Sequence, residues 1–494
     1  MNEKSLRVRF APSPTGHVHL GSARTALYDY LIAKQQGGQF VLRIEDTDRN
    51  RYVEGAEQEL IDGLRWLGID WDEGPEKGGP YGPYRQSEKK DIYLQYAKEL
   101  IEKGHAYYCF CSSERLRLVR EENRKQKLPF VYDGHCRNIP LDEAKARVAQ
   151  GEQHVIRFRT KKEGETIVHD LLRGEIHFPN NSLDDYIIVK SDGWALYHLA
   201  ATVDDHLMKI THVIRGSEWL PTSPLHHQIW QSFGWDEPKW VHLSVFLKPS
   251  GKGKMSKREA ADLSNDGYSI FLKDLEALGY LPEAVVNWIA LMGWSFDDRT
   301  EFFLMDDLIE KFSLEKLNPS PAAINFSKLD HFNKLHIKNL PDEDLARRIQ
   351  PFFNKEGLEA PLDKLSQIVP VIKERLITLD ESITWCRFLF TDDISVDGET
   401  LTLFDKTLEE SASIADDVCS LLGGLPDWNV ELIETSMRDY METASLSPKQ
   451  LFSFIRNAIS GQKVTPPLFD CMVVMGKEKT MQRLEKATKA LASM

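Results

Sequence analysis

The apolar positions near the start of the chain predict a strand, a tight loop and a helix, in that order. Leu6 to Phe10 is a β-prone run, and a helix-compatible run from Ser22 to Gln36 follows two prolines and two glycines. Gln39 to Ile44 predicts a second strand, because its apolar residues alternate with other residues. The strand pattern resumes at Tyr186 to Lys190, and Ile210 to Ile214 has the composition of a buried strand. Together these elements favour an open α/β sheet.

The second half of the chain has the periodicity of helices. Apolar residues three and four apart are clearest between Leu365 and Leu379, and Pro370 is expected to kink that helix. The predicted helices are Pro282 to Met292, Asp306 to Phe312, Pro341 to Gln350, Leu362 to Leu379, Glu381 to Phe390, Asp427 to Glu442, Pro448 to Ser460 and Leu468 to Leu491. The motifs that suggest catalysis lie elsewhere, so we interpret this half as a recognition module.

Residues 107–190 differ in character from the sequence on either side. They contain Cys109, Cys111 and Cys136, a charged helix, and short strand-like pieces. We interpret this stretch as a subdomain inserted into the α/β sheet. With 494 residues in all, the chain is long enough for three or more domains.

Composition narrows the class of protein. The apolar content of 41% and charged content of 28% are typical of a soluble globular protein. The first residues lack an apolar segment, and no run is long enough to cross a bilayer, so we expect a cytoplasmic protein without a membrane partner. Six cysteines over this length do not suggest a disulfide framework.

The net charge of −14 argues against a nucleic-acid partner only if the distribution of charge is ignored. Residues 247–258 hold five cations and no acid, and Arg115 to Lys127 is also rich in Arg and Lys. Basic patches on an acidic body suit a large partner that is contacted at a few points. They suit ordinary solvated surface equally well.

The first loop, from Arg9 to Arg24, reads RFAPSPTGHVHLGSAR and is the clearest candidate for binding chemistry. Free amides and the dipole at the start of the following helix attract anions such as phosphate. His19 can donate to a phosphate oxygen, and Gly21 allows a nucleotide to approach the backbone. The alternative is that the loop only turns a corner and that His19 caps it.

Charged residues at the carboxyl ends of two predicted strands suggest one cleft. Glu45 follows the second strand and Arg215 follows a later one, and ligands bind at this edge of an open α/β sheet. Arginine is well suited to hold a carboxylate through two parallel bonds. The basic segment Lys254 to Arg258 follows a glycine-rich approach, and its lysines suit the charge of a triphosphate.

With both loops considered, the chain resembles the class I aminoacyl-tRNA synthetases, and most closely the bacterial glutamyl-tRNA synthetases. The first loop is similar to their Pro-Ser-Pro-Thr-Gly form of the HIGH signature, and Lys254-Met-Ser-Lys-Arg258 is similar to their second signature. Further similarities are Arg43 to Arg49, Tyr84 to Ser87, Val203 to His206, Ser217 to Leu220, Ile455 to Gly461 and Met475 to Lys479.

This resemblance implies a Rossmann-like catalytic domain with an inserted α+β subdomain, followed by an all-α anticodon-binding module. The implied boundaries are 1–106 with 186–245 for the catalytic domain, 107–185 for an insertion that binds the tRNA acceptor end, 246–330 for the second signature and stem contacts, and 331–395 and 396–494 for two helical anticodon-binding subdomains. The implied reaction joins L-glutamate to tRNA(Glu) with ATP and Mg²⁺, first as glutamyl-adenylate. The family also implies that activation needs tRNA and that the protein is a monomer.

Site residues follow from the same resemblance. Arg215 would hold the side-chain carboxylate of glutamate and Glu45 would face its ammonium group. The residues expected around the amino acid are Arg9, Ser13, Glu45, Tyr197 and Arg215, and those expected at ATP are Ser13, His19, Gly21, Glu218, Lys254, Ser256, Lys257 and Arg258. His19, Lys254 and Lys257 would act in catalysis. Arg375 falls where the family reads the last anticodon base.

The chain departs from its relatives at two places. Some relatives carry zinc through a Cys-x-Cys and Cys-x-His set, but here Asn138 stands in place of the histidine, with His135 beside Cys136 as a substitute. Zinc and ordinary core packing of Cys109, Cys111 and Cys136 are both open. Ala201 stands where some relatives have Asn beside the substrate.

Other functions are weighed against this one. A glutaminyl-tRNA synthetase has Pro-Glu-Pro-Asn-Gly in its first loop and a β-barrel anticodon module, and the tRNA-modifying relatives lack the helical half. A nucleotidyltransferase acting on a small molecule leaves the helical half without a purpose. An RNA-binding scaffold leaves His19 and Lys257 without one. Whether tRNA(Gln) is charged as well as tRNA(Glu) is open.

Overall fold

The computed structural model describes residues 5–48, 50–127, 131–253, 255, 263, 267–392, 394–396 and 401–493. The chain divides into two compact units, one formed by Met1–Glu276 with Val285–Phe326 and the other by Ala277–Ala284 with Ser327–Met494. Each unit is described by itself. None of the helices in these described ranges combines the length and the apolar content that a membrane span needs.

The first unit begins with the predicted strand, loop and helix. The elements are β1 (Arg7–Phe10), α1 (Leu20–Gln35), β2 (Gln39–Leu42), α2 (Ala56–Trp66) and α3 (Lys90–Glu102). Strands β1 and β2 are parallel, with Phe10 opposite Leu42. Most of α1 is buried, including Leu27, Leu31 and Ile32, so this helix packs inside the unit rather than on its surface.

The stretch that was predicted to be an insertion contributes to two sheets. Its elements are β3 (Ala106–Cys109), α4 (Ser113–Lys125), α5 (Leu141–Ala149), β4 (Val155–Phe158), β5 (Glu165–Asp170), β6 (Gly174–Pro179) and β7 (Ile187–Val189). Strands β3, β4 and β7 form an antiparallel sheet. Strands β5 and β6 form a hairpin that belongs to a second sheet, described next.

The second sheet joins the hairpin of β5 and β6 to two later strands. The elements after β7 are α6 (Tyr197–Leu207), β8 (His212–Gly216), α7 (Ser223–Phe233) and β9 (Lys239–Leu243). The strand order of this sheet is β6-β5-β9-β8. Strands β8 and β9 are parallel, with Arg215 opposite His242. Asp170, at the end of β5, is opposite Trp240 of β9. The hairpin therefore places Asp170 beside the strand end that carries His242.

Strand β1, which pairs with β2, is hydrogen-bonded to Thr211, the residue just before β8. The Thr211 N–H donates to the Arg7 carbonyl, and the Arg7 N–H donates to Thr211 Oγ1. The remaining elements of the unit are β10 (Phe246–Leu247), which pairs in parallel with β11 (Ala322–Ala323), and helices Leu272–Ala277, Pro282–Leu291 and Met305–Lys311. The carboxyl ends of β1, β2 and β8 thus lie near one another.

The second unit is helical, as predicted, but several bounds differ. Its helices are Phe326–Asn339, Asp342–Lys355, Leu362–Ile372, Glu381–Phe390, Leu408–Gly423, Val430–Thr443, Pro448–Ser460, Leu468–Met475 and Lys477–Ala492. Their buried faces share one core that includes Ile349, Leu365, Ile455 and Leu484. The sequence pattern missed the helices that begin at Phe326 and Leu408.

Two predicted helices of this unit are shorter than expected. The helix from Leu362 contains Pro370 and ends two residues after it, at Ile372. Lys373–Arg375 then form a 3-10 turn. The prediction of one helix from Leu468 to Leu491 is also wrong, because Gly476 at φ 86° separates two helices.

Candidate active site

The first loop ends in a helix cap formed by His19. His19 Nδ1 accepts hydrogen bonds from the backbone N–H groups of Gly21, at 3.1 Å, and Ser22, at 3.3 Å. The capping interpretation of His19 is therefore confirmed, and its other ring nitrogen, Nε2, lies 3.3 Å from the Ser22 hydroxyl oxygen. A Cβ at Gly21 would lie 3.0 Å from His19 Cε1, so with alanine there the imidazole would have to shift by a few tenths of an ångström.

One cavity of about 540 Å³ brings together the described residues that were predicted to bind glutamate and ATP. Those that line it are Arg9, Ser13, His19, Gly21, Glu45, Tyr197, Arg215 and Glu218. They come from the ends of β1, β2 and β8, the start of α1, the start of α6 and the turn after β8. The edge of the sheet at which strands end thus forms the cavity, as in other open α/β sheets. Ala201 is buried and is not among the residues that line it.

The second signature loop is only partly described. Lys254, Ser256, Lys257 and Arg258 lie outside the described residues. Met255 is described: its N–H donates to the Phe246 carbonyl, and Met255 lines the same cavity as His19. On the other side of the loop, the Leu20 N–H donates to the Ile270 carbonyl at 2.9 Å. The segment after the second loop therefore contacts the first loop. The segment before it does so too, because the Cζ of Arg24, at the end of the first loop, lies 4.0 Å from the centroid of the Phe246 ring.

A network of buried charges lies beneath the cavity. Arg43 donates to Asp205 at 2.6 Å through Nη1 and to Glu45 at 2.9 Å through Nη2, and Arg9 donates to the same Asp205 oxygen at 3.2 Å. Burial raises the pKa of Glu45, and the bond from Arg43 opposes that rise. Burial also acts to raise the pKa of Asp205, but Arg43 and Arg9 hold it below its usual value. Arg9 and Glu45 are thus fixed relative to each other.

Arg43 and Asp205 are two residues of this network for which no role was predicted. Both lie in stretches that resemble the family, Arg43 to Arg49 and Val203 to His206, but nothing in their spacing indicates that they meet. They are separated by 162 positions along the chain. The one available signal was the pair of consecutive acids Asp204 and Asp205 on an apolar helix, where buried charges require partners.

Arg215 is held on three sides by protein groups. Its Nε donates to His242 Nε2 at 3.0 Å, Nη1 to the Tyr197 hydroxyl at 3.1 Å and Nη2 to Ser223 Oγ at 3.2 Å. The guanidinium also lies over the ring of Trp240, with 4.7 Å between its Cζ and the ring centroid. Arg215 is therefore oriented before any ligand arrives.

Three cysteines form a compact cluster apart from this cavity. The Sγ atoms of Cys109, Cys111 and Cys136 all lie within 4.8 Å of one another. The Tyr132 hydroxyl oxygen is 3.4 Å from both Cys109 Sγ and Cys111 Sγ, and Cys111 Sγ is 3.6 Å from Cys136 Sγ. His135 is exposed and is not part of this group.

The donor set of this cluster fits a tetrahedral zinc ion. Zinc binds thiolate sulfur at about 2.3 Å and oxygen at about 2.0 Å, so tetrahedral ligands stand about 3.5 to 3.8 Å apart. The two oxygen–sulfur distances of 3.4 Å and the distance of 3.6 Å between Cys111 Sγ and Cys136 Sγ approach these values. Arg157 lies over the Tyr132 ring at 3.9 Å, and Arg115 Nη1 lies 3.5 Å from Cys111 Sγ, so cations surround a set that becomes anionic when it binds metal.

Arg375, in the helical unit, lies in the 3-10 turn that follows the shortened helix. Its guanidinium is 5.2 Å from the ring centroid of Trp385. Arg375 therefore lies on a turn and not, as the sequence had suggested, on the helix that contains Pro370.

Comparison with known proteins matches both parts of the chain. A family model for the catalytic domain of class I tRNA synthetases for glutamate and glutamine (E and Q) matches residues 5–331. A model for an anticodon-binding domain matches residues 344–488. The chain belongs to the class I tRNA synthetase family of the glutamate and glutamine type.

Individual relatives narrow this class to the glutamate branch. The chain is 43% identical to a glutamate–tRNA ligase of Dehalococcoides mccartyi strain CBDB1 over 99% of this chain and 98% of that protein. It is 42% identical to a glutamate–tRNA ligase of Borreliella burgdorferi over 99% of both chains. A crystal structure of a glutamate tRNA ligase from Elizabethkingia meningosepticum in complex with its amino acid matches with a TM-score of 0.90 and 36% identity, over 99% of this chain and 100% of that chain.

Proposed function

We propose that this protein attaches L-glutamate to tRNA(Glu) at the expense of ATP. The observation that carries the proposal is the presence of Arg215 and Glu45 in the cavity that also contains the helix cap at His19. A cation and an acid of this kind complement the two ends of glutamate, and the start of α1 complements phosphate. Relatives named glutamate–tRNA ligase, matched over nearly the whole chain, support the same activity.

Five residues bind the amino acid in this proposal. Arg215 holds the side-chain carboxylate and Glu45 accepts from the ammonium group. Arg9, Ser13 and Tyr197 complete the pocket. The support is that all five line one cavity and that Arg215 is already bonded to Tyr197.

ATP binds beside glutamate, with Mg²⁺ neutralising its phosphates. His19, Gly21 and Ser13 contact it from the first loop and Glu218 contacts it near the adenosine. Lys254, Ser256, Lys257 and Arg258 contact the phosphates from the second loop. The support is the anion-attracting start of α1 and the contact of both flanks of the second loop with the first.

The chemistry needs positioning rather than a protein nucleophile. The α-carboxylate of glutamate attacks the α-phosphorus of ATP, the bond to the bridging oxygen breaks, and pyrophosphate leaves with the electron pair. A terminal ribose hydroxyl of tRNA then attacks the acyl carbon, loses its proton, and releases AMP. His19 and the lysines stabilise charge at the phosphates in the first step.

Zinc is a structural component in this proposal. Cys109, Cys111 and Cys136 would hold it as thiolates, with the Tyr132 oxygen as fourth ligand. A closed set of four protein ligands leaves no position for substrate, so the ion would only join β3 to residues 131–137.

The helical unit recognises the anticodon, with Arg375 at the last base. We propose that the acceptor end is bound by residues 107–185 and the stem by residues 246–330. The two anticodon-binding regions are 331–395 and 396–494. We further propose a monomer in the cytoplasm, where charged tRNA is used. Size-exclusion chromatography and cell fractionation test these two points.

Charging of purified tRNA tests the activity. The protein, labelled glutamate and ATP are incubated with tRNA(Glu) or tRNA(Gln), and ATP-pyrophosphate exchange is measured with and without tRNA. We expect charging of tRNA(Glu) and exchange that depends on tRNA. Equal charging of tRNA(Gln) would establish the non-discriminating alternative, and absence of charging of either tRNA would refute the proposal.

A further inference from the structure

Arg215 has a defined set of hydrogen-bond donors. A guanidinium carries five N–H groups and no acceptor. In the described part of the chain, one N–H from each nitrogen is used, by His242, Tyr197 and Ser223 respectively. Two N–H groups, one on Nη1 and one on Nη2, are thus left for a ligand. They match the two oxygens of one carboxylate.

This arrangement depends on His242 acting as an acceptor. Nε2 of His242 lies 3.0 Å from Arg215 Nε, which can only donate. The opposite nitrogen, Nδ1, lies 2.7 Å from Asp170 Oδ2. Because a carboxylate only accepts, we assign the ring proton to Nδ1 from these two partners. That tautomer leaves the lone pair on Nε2 facing Arg215.

Asp170 is itself held firmly. Its Oδ2 accepts from the His242 backbone N–H at 3.0 Å, and its Oδ1 accepts from the N–H groups of Leu172 and Arg173, both at 2.9 Å. The side chains of Asp170 and His242 are both fully buried. Water therefore does not compete for these bonds, and the carboxylate stays in one orientation.

The neutral form of His242 is favoured by its surroundings. Burial lowers the pKa of His242, and the charge of Arg215 acts in the same direction, although the bond to Asp170 opposes both. A proton on Nε2 would place an N–H against the N–H of Arg215 Nε. Ser223 Oγ, 3.1 Å from Nε2, completes the contact between the three side chains.

We propose that Asp170 and His242 are positioning residues that fix Arg215 to receive a carboxylate and thereby select glutamate over glutamine. A carboxamide offers one oxygen and one NH₂ group, and the NH₂ group would meet an N–H of Arg215. Free rotation of Arg215 would relax this discrimination, because other donors could then be presented. The inference rests on the proposed function, since it assigns a purpose to the Arg215 contact with glutamate.

Asp170 and His242 come from different parts of the chain. Asp170 ends strand β5, in the stretch predicted to be an insertion, whereas His242 is on β9. The hairpin of β5 and β6 is therefore tied to the amino-acid pocket through the hydrogen bond between His242 and Asp170. His242 contacts Arg215, and neither His242 nor Asp170 lines the cavity.

Two variants test the proposal by steady-state kinetics of tRNA(Glu) charging. His242→Gln keeps a polar group near Arg215 but loses the link to Asp170. Asp170→Asn sets an NH₂ group against backbone N–H groups that the carboxylate accepts from, so it disturbs the orientation of His242. We expect the KM for glutamate to rise about tenfold or more, the scale of a lost charge-assisted bond, while the KM for ATP and kcat change less than about threefold. The ratio of kcat/KM for glutamate over glutamine should fall.

His212→Gln is the matched control. His212 is the first residue of β8, at the opposite end from Arg215, and its Nδ1 contacts Thr211 Oγ1. It should leave the KM for glutamate unchanged, and thermal unfolding of all three variants confirms that they are folded. Equal rises in the KM for glutamate and ATP, or an unchanged selectivity ratio in folded His242→Gln, would overturn the proposal.

Nitrogen NMR of the wild-type protein labelled at histidine gives a second readout that does not depend on activity. We expect the His242 resonance, assigned by its loss in His242→Gln, to show a protonated Nδ1 and an unprotonated Nε2. A protonated Nε2 would overturn the proposal even if the protein charges tRNA. If the wild type fails to charge tRNA, the proposed function fails, while the NMR result still reports on the pair.

Discussion

Arg43 and Asp205 form an ion pair that is almost wholly withdrawn from solvent, with 2.6 Å between Nη1 and Oδ1. The pair links two residues of the cavity, because Asp205 also accepts from Arg9 and Arg43 also donates to Glu45. In the proposed function Arg9 and Glu45 bind different parts of glutamate. The spacing between them is thus set by side chains that the substrate does not touch.

Removal of the Asp205 charge should destabilise the protein strongly. Asp205→Asn leaves Arg9 and Arg43 buried with fewer counter-charges, and breaking a buried pair costs about 3 to 5 kcal/mol. The loss in the free energy of unfolding is measured by chemical denaturation, from the unfolding transition of the first unit. The control is Asp70→Asn, because Asp70 pairs with Lys77 at 2.6 Å on the exposed surface and such pairs contribute about 1 kcal/mol or less. Equal losses in both variants would contradict the prediction.

Gly21→Ala should impair the use of ATP rather than folding. The added Cβ would lie 3.0 Å from the His19 ring, so the imidazole must shift by a few tenths of an ångström from its capping position. We expect ATP-pyrophosphate exchange, with tRNA present, to fall about tenfold or more, on the scale of a displaced transition-state contact. Gly424→Ala, at a helix end in the second unit where a Cβ has 3.4 Å of space, serves as the control. Unaltered exchange in Gly21→Ala would show that the His19 position does not matter.

The zinc site is tested by metal analysis of variants purified without added zinc. Tyr132→Phe removes the oxygen that lies 3.4 Å from two thiols, whereas His135 is exposed and outside the group. We expect one zinc per chain in the wild type and in His135→Ala, and a reduced content in Tyr132→Phe. Loss of zinc in His135→Ala with retention in Tyr132→Phe would assign the fourth ligand to the histidine. Absence of zinc from the wild type would leave the cysteines as core packing.

Lys257→Ala should lower the rate of glutamate activation by about 10²-fold or more, the scale of a lost transition-state contact. The expectation follows from the resemblance of residues 254–258 to the second signature and from Met255, which lines the cavity. ATP-pyrophosphate exchange in the presence of tRNA measures it. Lys273→Ala, a lysine outside that signature, is the control. An unchanged exchange rate in Lys257→Ala would remove this residue from the reaction.

Much of the fold and of the candidate site could be predicted from local sequence. The strand, loop and helix around His19 are short-range patterns, and so is the placement of Glu45 and Arg215 at strand ends. Their contact partners are long-range, and no local pattern reveals that Arg43 meets Asp205 or that His242 meets Asp170. The pair of His242 and Asp170 forms only when β5 packs beside β9, and the pair of Arg43 and Asp205 only when α6 lies against the end of β2.

Errors in the helical half have a local cause. Pro370 was expected to bend one long helix, but the helix ends two residues later, since the following residues adopt a 3-10 turn and then extended backbone. The break at Gly476 was missed because the apolar periodicity continues across it, and periodicity carries no information on backbone conformation. A glycine within such a pattern is a sign that a helix can end there.

The central claim is that Arg215 binds the side chain of glutamate during the charging of tRNA(Glu). Its most direct test is the kcat/KM for glutamate in charging by the wild type and by Arg215→Gln, with Arg65→Gln on the exposed surface as control. We predict that the wild type and the control charge tRNA(Glu) alike and that Arg215→Gln loses about 10²-fold or more, as expected for a lost bidentate ion pair. Retention of full kcat/KM by Arg215→Gln would contradict the claim.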